Sequence, residues 1–86
     1  MRVKDRLQFI KDNFPDVLIA DGFDKAIIGV VERYGMNTVV LYNKDKCLKI
    51  LQKRDGMTES EAIDFYYYNI VGAYVGEYTP CYAEIL

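Results

Sequence analysis

The chain has 86 residues, of which 51% are hydrophobic and 14% aromatic, and its formal net charge is −2. This length indicates a single domain over residues 1–86, and a domain of this size buries only about 60–65% of its unfolded surface. The charge does not favour binding to duplex nucleic acid, which relies on clustered cations, and no apolar run approaches the about 20 residues that span a bilayer.

The high apolar content predicts that part of the surface meets another chain. We therefore expect a homo-oligomer, a dimer or a tetramer. The alternative is a tyrosine-rich core whose hydroxyl groups reach water. The charged and apolar residues that alternate at the N-terminus predict no signal peptide, and no membrane partner is expected.

The two cysteines, Cys47 and Cys81, do not have the spacing of a metal site. We expect two reduced, packed thiols in a cytoplasmic protein, because disulfides are rare in that compartment. The sequence alone leaves a disulfide between them open.

The first predicted element is an amphipathic helix over residues 2–14, which ends before Pro15 because the residue before a proline avoids the helical region. Its apolar side chains recur at spacings of four, three and four and form one stripe: Val3, Leu7, Ile10 and Phe14.

Two strands are predicted next. Residues 17–20 are either a short strand or an extended lead-in to the turn at DGFD, residues 21–24. The apolar run at 26–33 is typical of a strand covered on both faces. The connection YGMN and a second β-rich run at 38–42 predict an antiparallel hairpin.

A second helix is predicted over residues 44–54. Asn43 is its expected N-cap, and Gly56 follows its end. Lys53 and Arg54 lie in the last turn, where cations complement the helix dipole.

The third helix has the clearest start, since Thr58 and Glu61 have the spacing of a capping box. It is expected to run to about Tyr74, and a terminal strand is predicted from residue 81. The fold class that follows is α+β: a small antiparallel sheet of three or four strands with three helices packed mainly on one face.

The third helix carries two apolar stripes. One is expected to pack on the sheet: Ile63, Tyr66, Tyr67, Ile70 and Tyr74. The second contains small residues and predicts an interface between copies of the chain, formed by Phe65, Gly72, Ala73 and Gly76. For Gly76 the alternative is that it ends the helix. Asn69, if buried, either bonds to backbone, fixes a dimer register or binds a ligand.

No catalytic residue, cofactor or metal is predicted. The chain has no histidine, which removes the usual base for a serine or cysteine nucleophile, and it has no glycine-rich phosphate loop. Asp21 and Asp24, with Glu32, leave a Mg²⁺ site for phosphodiester chemistry open. The alternative is that both aspartates are turn formers.

Ligand binding fits the composition better than catalysis, because aromatic faces stack on nucleobases and arginine binds phosphate. The candidate ligand-binding residues are Arg33, Tyr66, Asn69, Tyr74, Glu77, Tyr78 and Thr79.

The motifs AIIG, RDGMT and GAYVGE-TP, which lie between residues 26 and 80, resemble those of a family of small phage-encoded proteins. The resemblance extends over most of residues 17–80 and associates the chain with anti-CBASS-type sponges, which sequester cyclic oligonucleotide signals of bacterial anti-phage defence. It implies a non-catalytic homo-oligomer with ligands at subunit interfaces, acting in the cytoplasm of the infected host without a metal.

Three functions therefore remain as hypotheses. The first is sequestration of a cyclic oligonucleotide. The second is inhibition or regulation of a host protein through the same apolar surface. The third is a Mg²⁺-dependent nuclease or phosphodiesterase that uses Asp21 and Asp24.

Overall fold

The first helix, α1, extends over Val3–Asn13 in a computed structural model that describes every residue from Met1 to Leu86. Ile10 is its fully buried residue, as its position on the apolar stripe predicted. The guanidinium of Arg6 donates a hydrogen bond to the backbone carbonyl of Ile27 and joins α1 to the first strand.

Residues 17–20 do not form a strand. They are instead the lead-in to the turn at residues 21–24, which was the second alternative. The segment is fixed from the side, because the backbone N–H of Ala20 donates a hydrogen bond of 2.7 Å to the hydroxyl of Tyr42. A short 3₁₀ helix at Asp24–Ala26 follows and buries Ala26 beside Phe23.

The sheet has three strands in the order β1-β2-β3: β1 is Ile27–Val31, β2 is Val39–Asn43 and β3 is Cys81–Ala83. β1 and β2 form the predicted antiparallel hairpin. β3 pairs with β2 in parallel, so the sheet is mixed and the prediction of a wholly antiparallel sheet is wrong. A parallel pair needs a long crossover connection, usually helical, and the two helices between β2 and β3 supply it.

Helix α2, Lys44–Asp55, begins and ends where its caps predicted. The side chain of Asn43 accepts a hydrogen bond from the N–H of Lys46 at 3.1 Å. Gly56 has the left-handed conformation, with φ of 68°, that a helix C-terminus commonly requires.

Helix α3, Glu59–Phe65, starts with the predicted capping box. The N–H of Glu61 donates to the Thr58 hydroxyl at 3.2 Å, and the N–H of Thr58 donates to the Glu61 carboxylate at 2.9 Å. These hydrogen bonds stabilise the charged carboxylate and so lower the pKa of Glu61.

The helix then changes pitch. Tyr66–Val71 is a π-helical segment, and the N–H of Gly72 bonds to the carbonyl of Tyr67 at 3.0 Å, five residues back. The helical structure therefore ends three residues before the predicted Tyr74. Its buried residues follow a spacing of four, which places them on one face: Ala62, Tyr66 and Ile70.

One core joins the sheet to all three helices, which confirms the α+β class. Val40 and Tyr42, which point to the same face of β2, are fully buried against residues from every helix. The helical contributions are Ile10, Cys47, Leu51, Ala62, Tyr66 and Ile70. No helix in the structure has the length and apolar character needed to cross a bilayer.

Candidate functional site

The segment from residue 65 to residue 75 exposes most of its large apolar side chains. The exposed fractions are 37% for Phe65, 49% for Tyr67, 83% for Tyr68, 42% for Val71, 79% for Tyr74 and 61% for Val75. We call these six residues the aromatic surface. It contains Phe65 from the predicted interface stripe, and also Tyr67 and Tyr74, which had been assigned to the sheet-facing stripe.

Tyr66 is a core residue, which takes it out of the predicted ligand site. It is only 2% exposed, and its ring packs edge-on against Tyr82, with ring centroids 5.8 Å apart. Tyr82 in turn stacks on Tyr42 at 5.4 Å. Burial raises the pKa of Tyr66 to about 12, so its hydroxyl stays protonated at neutral pH.

Tyr67 is held at the edge of the aromatic surface by a lysine. The Lys44 ammonium donates to the Tyr67 hydroxyl at 2.9 Å and to the Glu84 carboxylate at 2.8 Å. Both partners favour the charged ammonium and so raise the pKa of Lys44, and the hydrogen bond to Glu84 has the larger effect. The contact joins the start of α2 to the π-helical segment and to the C-terminus.

A groove of about 470 Å³ lies between the β1–β2 turn and the loop that follows the π-helical segment. We call it the hairpin groove. Its lining residues are Gly35, Met36, Asn37, Val39, Tyr74, Gly76, Glu77 and Thr79. The structure therefore brings three predicted ligand residues together: Tyr74, Glu77 and Thr79.

Two of these residues already have partners within the chain. The carboxylate of Glu77 accepts a hydrogen bond of 3.2 Å from the side-chain amide of Asn37. The hydroxyl of Thr79 accepts from the N–H of Val75 at 2.9 Å and donates to the Gly76 carbonyl at 2.6 Å. Thr79 therefore fixes the loop that carries Tyr74 and Glu77.

Asn37 is a groove residue that the sequence analysis missed. It lies 40 residues from Glu77, and no local pattern links a turn asparagine to a carboxylate so far along the chain. Only the pairing of β1 with β2 and of β2 with β3 brings the two segments together.

The other predicted ligand residues lie outside the hairpin groove. Arg33 is exposed in the β1–β2 connection and Tyr78 is partly buried in the loop, but neither lines the groove. Asn69 is exposed, so the roles that depended on its burial do not apply. Together with Ala73 it borders a separate apolar groove of about 400 Å³.

The two glycines of the predicted interface have local roles. A Cβ at Gly72 would lie 2.8 Å from the carbonyl oxygen of Tyr67, so the end of the π-helical segment itself requires glycine. Gly76 lies in the loop beyond the helix with φ of 114°, a conformation that favours glycine. It does not end the helix. Gly72 and Ala73 are exposed.

A second feature absent from the sequence analysis is a groove of about 610 Å³ beside α2. We call it the basic groove. Its lining residues are Gly22, Asp24, Lys25, Lys46, Lys49, Ile50, Lys53 and Arg54. Along the chain Asp45 and Asp55 interrupt this set of cations, whereas in the fold neither aspartate lines the groove.

The carboxylates considered for Mg²⁺ do not form one cluster. Asp24 and Glu32 lie at opposite ends of β1, and no group of three or more histidine, cysteine, aspartate or glutamate side chains is placed to hold a metal ion. Both cysteines are free. Burial raises the pKa of Cys47 to about 11.

A scan against protein-family models, a search of curated proteins and a search of solved structures each gave no match to this chain.

Proposed function

We propose that the protein is a non-catalytic binding protein that sequesters a cyclic oligonucleotide between copies of itself. The observation that carries this proposal is the hairpin groove, in which a ring that is 79% exposed, that of Tyr74, adjoins the paired polar groups of Asn37 and Glu77. An aromatic face beside a donor and an acceptor is a fit for a nucleobase.

Each group of the groove has a distinct part in base recognition. Stacking on an aromatic side chain contributes about 1–3 kcal/mol per base in proteins that bind single strands. The Glu77 carboxylate accepts hydrogen bonds from a base amino or imino group, and the Asn37 amide offers both a donor and an acceptor. Thr79 acts indirectly, because its hydroxyl is engaged with the loop backbone.

Arg33 is the cation proposed for the phosphodiester. It is exposed in the same β1–β2 connection as Asn37, and its guanidinium makes neither an ion pair nor a hydrogen bond within the chain. A guanidinium matches the two free oxygens of a phosphate with two parallel hydrogen bonds.

Assembly of copies follows from the aromatic surface. Six large apolar side chains exposed within eleven residues are more than a small monomer ordinarily leaves to water. Most homo-oligomers are built on twofold axes, which present the same surface twice. A twofold dimer would offer two hairpin grooves, one for each nucleotide of a cyclic dinucleotide, and a tetramer would repeat the pair.

The biological setting of the proposal comes from the resemblance to phage sponge proteins. A phage protein that removes a cyclic oligonucleotide signal from the host cytoplasm needs affinity and abundance and no turnover. The hairpin groove is matched to that role, since a base stacked on Tyr74 and read by Glu77 is bound without a nucleophile.

The test is a binding assay against cyclic di- and trinucleotides by thermal shift and calorimetry. A ligand that binds only the native state raises its melting temperature by mass action. The ligand is then recovered after heat denaturation and examined by chromatography. Intact recovery supports sequestration. Hydrolysed product, or no binding across the panel, would overturn it.

Two variants locate the site. Tyr74→Ala is expected to weaken binding at least tenfold, because it removes the stacking face. Tyr34→Ala is the matched control, since Tyr34 is fully exposed near the same β1–β2 turn and does not line the groove; its affinity should be unchanged. Equal losses in both variants would overturn the assignment of the site to the hairpin groove. Capture of one stoichiometric host protein with no nucleotide bound would favour the protein-inhibitor alternative.

A further inference from the structure

The basic groove gathers cations from two separate elements. Lys46, Lys49 and Lys53 come from α2, and Lys25 comes from the 3₁₀ helix. Spacings of three and four residues place the three α2 lysines on one side of that helix. Asp24 is the single carboxylate residue in the lining.

These four lysines are not neutralised by the chain. The two ion pairs of the structure are Lys44 with Glu84 and Arg54 with Asp55, and neither involves a lysine of the groove. Asp45 lies one helical turn before Lys49 and makes no ion pair with it. Like charges one turn apart destabilise a helix. The unpaired lysines of this chain, whose net charge is −2, would therefore be stabilised by an anion from outside the chain.

Arg54 is a structural part of the groove wall. Its guanidinium donates two hydrogen bonds to Asp55, at 3.1 Å each, and one of 2.9 Å to the carbonyl of Gly22. It also lies 5.0 Å from the centroid of the Phe23 ring. These contacts occupy the planar face and fork of the guanidinium, so the free cations of the groove are the lysine ammoniums.

We infer that the basic groove binds a ligand that carries a chain of linked phosphates. Lysine ammoniums act as compact point charges for phosphate, and the stretch from Lys46 to Lys53 extends about 10 Å along α2. No aromatic ring lines the groove, and Ile50 is its one hydrophobic residue. Recognition there is therefore expected to be independent of the base, unlike that of the hairpin groove.

The shared chemistry has two sources, an oligophosphate such as that of a nucleotide and the phosphodiester backbone of a single strand. Inorganic tripolyphosphate and a fluorescent thymidine decamer are the two test ligands. With four lysines engaged, the plot of log affinity for the decamer against log salt concentration should have a slope of about −3.

The variant Lys46→Gln, Lys49→Gln, Lys53→Gln should lower affinity for the bound ligand at least tenfold at low salt and bring the slope to about −1. A matched control removes three exposed cations elsewhere: Arg2→Gln, Lys4→Gln, Lys11→Gln. Circular dichroism verifies that both variants are folded. If the first variant is unfolded, the single substitution Lys49→Gln replaces it, with an expected slope change of about 0.7.

Binding of either ligand, lost in the groove variant and kept in the control, supports the inference and identifies the source. No binding of either ligand would overturn it, as would equal losses in the two variants or equal binding of a poly-glutamate peptide. Tripolyphosphate has no base that could stack on Tyr74, so its binding reports on the basic groove alone. A failure of cyclic nucleotide binding at the hairpin groove is therefore distinguishable from a failure here.

Discussion

Tyr42 shows how one polar atom positions an irregular segment. Its side chain is fully buried, yet its hydroxyl accepts the N–H of Ala20 at 2.7 Å. A buried phenol generally finds such a partner, and here the partner is the backbone of the lead-in, which has no strand to bond to. The same contact fixes one wall of the apolar groove, to which Ala20 belongs.

Tyr42→Phe should therefore lower the free energy of unfolding by about 1–2 kcal/mol, because the N–H of Ala20 is left without an acceptor in a partly buried site. Urea denaturation at neutral pH measures the change. Tyr68→Phe is the control: Tyr68 is 83% exposed, and its change should stay within about 0.5 kcal/mol. A Tyr42→Phe protein as stable as the native chain would contradict the assigned role of this hydrogen bond.

Thr79 is expected to act through the loop rather than on a ligand. Thr79→Val removes the acceptor of the Val75 N–H and should speed hydrogen exchange of that amide about three- to tenfold, since a net hydrogen bond contributes about 0.5–1.5 kcal/mol. Thr79→Ser keeps the hydroxyl and should restore protection. If valine and serine variants exchange alike, the hydroxyl does not hold the loop.

At the scale of elements, the π-helical segment decides which rings are exposed. The sequence pattern was interpreted with 3.6 residues per turn, and this interpretation placed Tyr67 and Tyr74 on the core side. The observed bonding from Gly72 back to Tyr67 spans five residues, so the faces after Phe65 rotate away from the predicted ones. Tyr66 and Ile70 alone remain buried there. Isolated π turns are frequent at functional sites.

Gly72→Ala tests this ending of the helix. At φ of −73° an alanine normally stabilises a chain by about 0.4–1 kcal/mol through the unfolded state. Here the new Cβ would lie 2.8 Å from the Tyr67 carbonyl oxygen. We therefore expect destabilisation of about 1–3 kcal/mol in urea, as for other overpacked sites. Ala73→Ser, at the exposed neighbouring position, should change stability little. A stabilised Gly72→Ala protein would disprove the steric assignment.

The helix ends were predicted well because capping residues act on the backbone close to them in the sequence. Asn43, Gly56 and the Thr58–Glu61 pair each act within a few residues, and every one of these caps is in place. The direction of β3 was not predictable in this way. It depends on how far α2 and α3 carry the chain before it returns to β2, and no residue of Cys81–Ala83 encodes that distance.

At the scale of the whole molecule, the candidate site was predictable only in part. Tyr74, Glu77 and Thr79 were found because they lie within six residues of one another, in one loop. Asn37 and the basic groove depend on tertiary contacts between distant segments. Charge was averaged along the chain in the sequence analysis, whereas in the fold Lys46, Lys49 and Lys53 line one groove and make no ion pair with the aspartates near them in the sequence.

Four weak acids in or beside the core have charged forms that the fold disfavours: Tyr42, Tyr66, Cys47 and Tyr82. Burial raises the pKa of Tyr42 and Tyr66 from 10.0 to about 12, and that of Cys47 from 9.0 to about 11. Each group binds its proton more tightly in the folded chain than in the unfolded chain. The stabilisation that these groups contribute is therefore fully present below about pH 9, and it is lost as the pH rises through their raised pKa values.

The free energy of unfolding should thus fall between pH 9 and pH 12, with each titrating group adding a slope of up to about 1.4 kcal/mol per pH unit. Tyr66→Phe removes one of these four groups, and the Tyr66 hydroxyl has no hydrogen-bond partner in the chain. Urea unfolding at several alkaline pH values should give a shallower decline for this variant than for the native chain. Tyr68→Phe, on the exposed side, should leave the decline unchanged. Equal slopes for Tyr66→Phe and the native chain would show that burial of Tyr66 does not govern its protonation.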